Sequence, residues 1–174
     1  SMCLRVYGVD RDVCREITEA IMNGYVRNTH KDDLDHLAEN LREADVQELN
    51  AQAGLPPKVA LKLALLFSRQ CKTMCDPEGT PIGVFGVNDT QTVGLGSIWM
   101  MATPDLLKHQ RQFLRECREG IYEVSQGYSC VFNCTDARNT VHHKWLKWCG
   151  FTFIKEHEKF GRGNEPFYEF VKIL

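Results

Sequence analysis

The chain has 174 residues, 43% of them hydrophobic and 25% charged, with a formal net charge of -2. That fits one globular domain long enough to bury a substantial core and argues against a protein held to nucleic acid mainly by phosphate neutralisation. No apolar run reaches the roughly 18 residues a membrane span needs; residues 59–67, VALKLALLF, are too short and carry Lys62. The N-terminus lacks the apolar core and cleavage site of a signal peptide, so a cytoplasmic location is expected. Ser1, ahead of Met2, is expected to be an addition and is left out of the reading.

Residues 1–24 read as an N-terminal extension in which Val13, Ile17, Ala20 and Ile21 have the spacing of a short amphipathic helix, and residues 25–174 as the main domain. Tyr25 to Arg27 reads as a brief strand. Thr29 and Asp32 make a capping-box-like start for a helix with Leu34, Leu37, Ala38 and Leu41 on one face. Arg42, Glu43 and Asp45 interrupt that stripe before Val46, Leu49 and Ala53 resume it, and Gly54 stops the run. Pro56-Pro57 opens a further helix, apolar nearly all round to Phe67 and therefore expected to be well buried.

Strand signals follow. Lys72 to Cys75, a turn at residues 76–79, and Pro81 to Val87 make a hairpin; residues 88–91 turn again, and Gly94 to Thr103 form a third strand. Thr103 is placed as the N-cap and Pro104 as the first residue of a long helix whose face carries Leu106, Gln110, Phe113, Leu114, Cys117, Ile121 and Val124. Ser129 to Cys134 is an apolar strand, followed by a polar turn, a short helix, a strand from Phe151, a turn at residues 161–164 and a last strand. This order predicts an α+β fold in which the two strands flanking the long helix are parallel neighbours joined by a right-handed crossover.

The chain has eight cysteines, expected to be reduced thiols. Cys71 and Cys75, like Cys130 and Cys134, have three residues between them, which is not a two-residue knuckle, and His142 and His143 would have to complete a site. No metal is expected.

The stretch from Asn133 to Phe151, NCTDARNTVHHKWLKWCGF, resembles the closing motif of the GCN5-related N-acyltransferases, the GNAT family. In that family the asparagine opening the helix is commonly followed seven positions on by a tyrosine that protonates the departing coenzyme A thiolate. Here Asn139, Gly150 and Phe151 match, and Leu146 stands where the tyrosine would. A closer likeness is to small GNAT-like proteins of tailed bacteriophages, including the internal virion proteins of short-tailed phages, and Asn139, His142, Trp145, Leu146 and Gly150 carry it. The resemblance implies a GNAT fold: a mixed, mostly antiparallel sheet with one splayed parallel pair and helices on both faces.

The resemblance also implies acetyl-CoA as cofactor, its pantetheine arm lying between the parallel strands and its pyrophosphate on the following helix start, where free amides and the helix dipole attract anions. Carried onto this chain, that means Met101, Ala102 and Thr103, then Leu107, Lys108 and His109, with Asn139. The segment has no glycine, Pro104 removes one donor, and Asp105 brings negative charge that Lys108, His109 and Arg111 offset; a solvated helix face would look the same. The family's frequent base, a glutamate on the fourth strand, has no counterpart between Gly94 and Thr103. The remaining candidates are Ser97 through water, His142 or His143, and Asp136, with hydrogen bonding or capping as the structural reading of His142, Asp136 and Asn139. Two functions stay open: acetyl transfer to an amine of a protein or small molecule, or a non-catalytic phage protein that binds a host protein or sits in the virion.

Overall fold

The computed structural model describes residues 24–174, so the helix expected over Val13–Ile21 lies outside the described residues. In chain order these form β1 (Tyr25–Asn28), α1 (Asp33–Glu39), α2 (Glu43–Ala53), α3 (Pro57–Phe67), β2 (Ser68–Cys75), β3 (Pro81–Asp89), β4 (Leu95–Ala102), a 3₁₀ helix (Pro104–His109), α4 (Gln110–Val124), β5 (Cys130–Asp136), α5 (Thr140–Trp148), β6 (Thr152–Phe160) and β7 (Glu165–Ile173). The strands make one seven-stranded sheet in the order β1-β2-β3-β4-β5-β7-β6. Neighbours are antiparallel except β4 and β5, which run parallel because α4 carries the chain back across the sheet between them. The α+β architecture and the parallel pair are those predicted.

Alternation along the strands supplies a core on each face. Phe85, Ile98, Val131 and Phe170 pack with Phe113 and Ile121 of α4 and with Trp145 and Leu146 of α5. Val84 and Met101, one residue out of phase, pack with Leu34 and Leu37 of α1 and with Ala60 and Leu61 of α3.

Three local expectations are corrected. Thr29 does not cap α1; instead Asp33 in the first turn accepts the His30 amide at 2.9 Å, the Thr73 hydroxyl at 2.9 Å and two Arg27 nitrogens at 2.7 and 2.8 Å. The α3 helix is not buried all round. Ala60, Leu61 and Ala64 face inward while Leu66 and Phe67 are 73% and 60% exposed, because a helix lying on one face of a sheet covers only one stripe, whatever the composition of the rest. The long helix begins at Gln110, after six residues of 3₁₀ geometry, and Thr103 makes no cap: its amide and hydroxyl both donate to the Ile82 carbonyl.

The parallel pairing of β4 and β5 covers Leu95 to Ser97 against Cys130 to Phe132 and then ends. Asn133 Nδ2 takes the next carbonyl, that of Ile98, at 2.7 Å. The helix α2 occupies the far end of the gap. The Ala102 amide donates to Asp45 Oδ2 at 2.9 Å, and the Ala102 carbonyl accepts the Arg42 amide at 2.8 Å. The Arg42 guanidinium grips Asp45 at 2.7 and 3.1 Å and lies 4.8 Å from the centre of the Trp145 ring. At the other end of α2, the β6–β7 turn caps the helix by donating the Gly163 and Arg162 amides to the Ala51 and Gln52 carbonyls. Gly161 in that turn has φ 63°, and a Cβ there would stand 2.6 Å from both carbonyl oxygens, so glycine alone fits.

Removing the Asp45 carboxylate strands the Arg42 charge and leaves the Ala102 amide unpaired in the interior. Asp45→Ala is therefore expected to cost about 3–5 kcal/mol, measured by urea denaturation.

Candidate active site

Asp45, Glu48, Leu49 and Gln52 lie on one face of α2 at helical spacing, and all four line a cleft where β4 and β5 part. The face predicted from Val46, Leu49 and Ala53 is thus rotated: Val46 and Ala53 are exposed, and of the supposed interruption Arg42 and Asp45 are buried while Glu43 is exposed. The facing walls are apolar, formed by Phe85, Ile98 and Met100 of the sheet, Phe113 and Ile121 of α4, and Trp145 and Leu146 of α5.

Glu48 is the acid this environment tunes. Its Oε2 accepts Asn139 Nδ2 at 3.0 Å, the Thr135 hydroxyl at 3.2 Å and the Asp136 amide at 3.2 Å. Burial, reinforced by the charge of Asp45 and opposed by those donors, pushes its pKa up to about 7. Near neutral pH the carboxyl is therefore shared between its two protonation states, the condition under which a carboxylate both takes and gives a proton. Sequence reasoning missed Glu48 because it sought an acid on β4. The available signal was Asp45 and Glu48, three apart, in phase with Leu49 and Gln52.

The expected catalytic residues take other places. His142 does line the cleft, but it is buried between Trp145 and Phe170, with Nδ1 3.4 Å from the Thr135 hydroxyl. Burial first, then the Arg42 charge, lowers its pKa to about 3, so the ring is neutral at any working pH. Asp136 is held by Arg138 through its side chain, at 2.9 and 2.6 Å, and through its backbone amide, at 2.9 Å. Its contribution to the site is the amide that meets Glu48. Ser97 lies in the paired part of β4, opposite Phe132, and is not among the cleft residues.

The residues expected to hold the donor divide in the same way. Thr103 donates to β3 and Ala102 is taken by α2. Alternation along a strand turns Ile98, Met100 and Ala102 toward β5 and Met101 toward β3. Met100 is left as the residue whose amide and carbonyl face the cleft. Leu107, Lys108 and His109 lie in the 3₁₀ helix, outside the cleft lining, and Lys108 is paired with Asp105 at 2.7 Å. Pro104 offers no amide there, and that of Leu106 goes to Thr103. Asn139 stands at the α5 N-cap without capping it; its amide nitrogen is turned to Glu48 and Asp45, and its buried Oδ1 has no partner.

All six described cysteines are free thiols. Cys117 and Cys149, both in the cleft wall, have sulfurs 3.1 Å apart.

No protein-family model matches the chain, and no curated protein matches it. Solved structures do. A GCN5-related N-acetyltransferase from Kribbella flavida superposes with a TM-score of 0.66 at 17% identity, over 87% of this chain and 98% of that one. Spermidine N-acetyltransferase from Vibrio cholerae, solved with CoA and spermine, gives 0.64 at 13% identity, over 87% and 95%. This chain has the GNAT fold. A Salmonella typhimurium protein solved with its cofactor acetyl-CoA gives 0.63 at 14% identity, over 87% and 94%. These likenesses carry nothing of the resemblance to phage proteins. Among the described residues no helix is long and apolar enough to cross a membrane.

Within the GNAT fold, Asn139 orients Glu48 and its hydrogen bond lowers the carboxyl's pKa. Asn139→Ala is therefore expected to move the Glu48 titration to higher pH, followed by carbon-13 NMR of the side-chain carboxyl.

Proposed function

We propose that the protein is an N-acyltransferase that moves an acetyl group from acetyl-CoA to an amine, with Glu48 as the general base. The observation that carries this reading is the Glu48 carboxyl, held by three donors and lining the cleft between the splayed parallel strands, where burial raises its pKa. Two of the similar structures, solved with CoA and spermine and with acetyl-CoA, support the donor and the amine class of acceptor.

Each part of the cleft has a task. The Met100 peptide offers the donor's pantetheine arm a strand edge to bond to, and the Asn133 bond to Ile98 marks where that edge begins. The apolar walls exclude water from the thioester. The acceptor nitrogen attacks the thioester carbonyl carbon and gives its proton to Glu48; the carbon–sulfur bond breaks, leaving an amide and the CoA thiolate. Leu146 lines the cleft where the resemblance puts a tyrosine, so that thiolate is protonated only as CoA leaves the cleft for solvent. The helix start beyond β4 contributes little to binding the diphosphate, with Pro104 lacking an amide and Lys108 neutralised by Asp105. The donor is then held chiefly by its arm. His142 acts through Thr135 as a neutral positioning residue for Glu48.

The base must be ionised to work, so kcat/KM with a polyamine acceptor is expected to rise with pH through a midpoint of about 7. Glu48→Gln is expected to lower kcat by about 10²–10⁴-fold and remove that limb, while acetyl-CoA still raises the melting temperature of the variant. No stabilisation of the wild-type protein by millimolar acetyl-CoA would overturn the reading and leave a non-catalytic GNAT-fold protein that binds a partner such as a host protein.

Leu146→Tyr places a phenol in the cleft wall. It is expected to raise turnover by up to about a hundredfold if protonation of the thiolate limits the wild-type rate, measured by release of free thiol.

A further inference from the structure

Three adjacent strands bring a sulfur, an imidazole and a carboxylate together at a place the proposed chemistry does not use. Cys134 on β5 stands directly opposite Glu169 on β7. His157 on β6 is opposite Phe167, two residues from Glu169 and so on the same face of the sheet. His157 Nε2 lies 2.9 Å from Glu169 Oε2, and the donor atoms of all three residues lie within 4.8 Å of one another.

We infer that Cys134, His157 and Glu169 form a binding site for one divalent transition-metal ion of the zinc type. A thiolate, an imidazole nitrogen and a carboxylate oxygen are the donors zinc combines, and three protein ligands leave a fourth position for water. Tetrahedral bonds of ordinary length would put the donors roughly 3.3–3.8 Å apart, so small side-chain rotations complete the set. The backbone positions need not move, because β5, β7 and β6 are hydrogen-bonded neighbours and hold the three Cα atoms as a rigid frame. His157 and Glu169 are each 25% exposed, which gives an ion a way in. A His–Glu hydrogen bond alone would account for two of the three side chains but not for the sulfur set against both. The ligands are 23 and 12 residues apart in the chain, so the site falls outside the cysteine spacings that led to the expectation of no metal. Cys134 also lines the cleft, so the ion borders it. The inference does not depend on the acyl-transfer reading.

Titrating the reduced, full-length protein with Co²⁺ tests it without reference to activity. The expected result is saturation at one equivalent, with visible ligand-field bands and a near-ultraviolet sulfur-to-cobalt charge-transfer band. Cys134→Ser should abolish the charge-transfer band, and His157→Ala and Glu169→Gln should each weaken binding by about tenfold or more. Cys130→Ser should change nothing. Circular dichroism confirms that each variant is folded, and the His157 and Glu169 variants keep the test decisive if Cys134→Ser is not. No stoichiometric binding by the wild-type protein overturns the proposal, as does a charge-transfer band that survives in folded Cys134→Ser. So does Co²⁺ affinity unchanged in both other variants.

Discussion

The contact on which the rest depends is that between the end of β4 and the start of α2. A strand that leaves its parallel neighbour has unpaired amides and carbonyls, and in the interior each must find another partner. At Ala102 both partners come from α2: the Asp45 carboxylate for the amide and the Arg42 amide for the carbonyl. Because Asp45 is the acceptor, a negative charge is carried into the core, and Arg42 has to follow it there. The splay is thus stabilised by a helix that spans it, and the same helix brings Glu48 to the cleft one turn later.

That arrangement also explains the chemistry of the acid. Glu48 shares its surroundings with Asp45, whose charge opposes ionisation, and with an apolar wall that gives ions little solvation. Three donors pull the other way, two from the end of β5 and one from the turn that leads into α5. The balance settles near neutrality rather than at either extreme. His142, on the first turn of α5, has no such compensation: after burial, the charge that acts on it most is the cation Arg42, so burial and repulsion act together and the ring stays neutral. Burial thus favours the neutral form of both groups, and the donors around Glu48 keep only the carboxyl's pKa near neutrality, which is why the proposed reaction uses it as the base.

Much of this was legible beforehand. The succession of strands, the crossover through α4 and the parallel pair follow from periodicity and turn residues, which are local properties of the chain; the interrupted stripe before Gly54, read as one helix, is two, α1 and α2. The closing motif from Asn133 to Phe151 marked the right region: Asn133, Thr135, Asp136, Asn139, His142 and Leu146 all border the cleft or hold Glu48. Their roles were less legible. Asp136 and Asn139 are turn and cap residues by type, and only their position relative to α2 makes them the clamp on a carboxyl.

By itself the sequence determined the layers, the sheet order around the crossover and the segment that forms one wall of the site. Tertiary structure alone decided which acid enters the cleft, which peptide of β4 is left unpaired, and that Cys134, His157 and Glu169 converge. The physical reason is distance along the chain. Hydrophobic period and capping act over a few residues and leave a trace in composition, whereas Glu48 meets Asn139 across 91 positions. Such a meeting depends on strand register and on the pitch at which a helix crosses the sheet, and neither writes a pattern into the residues on one side alone.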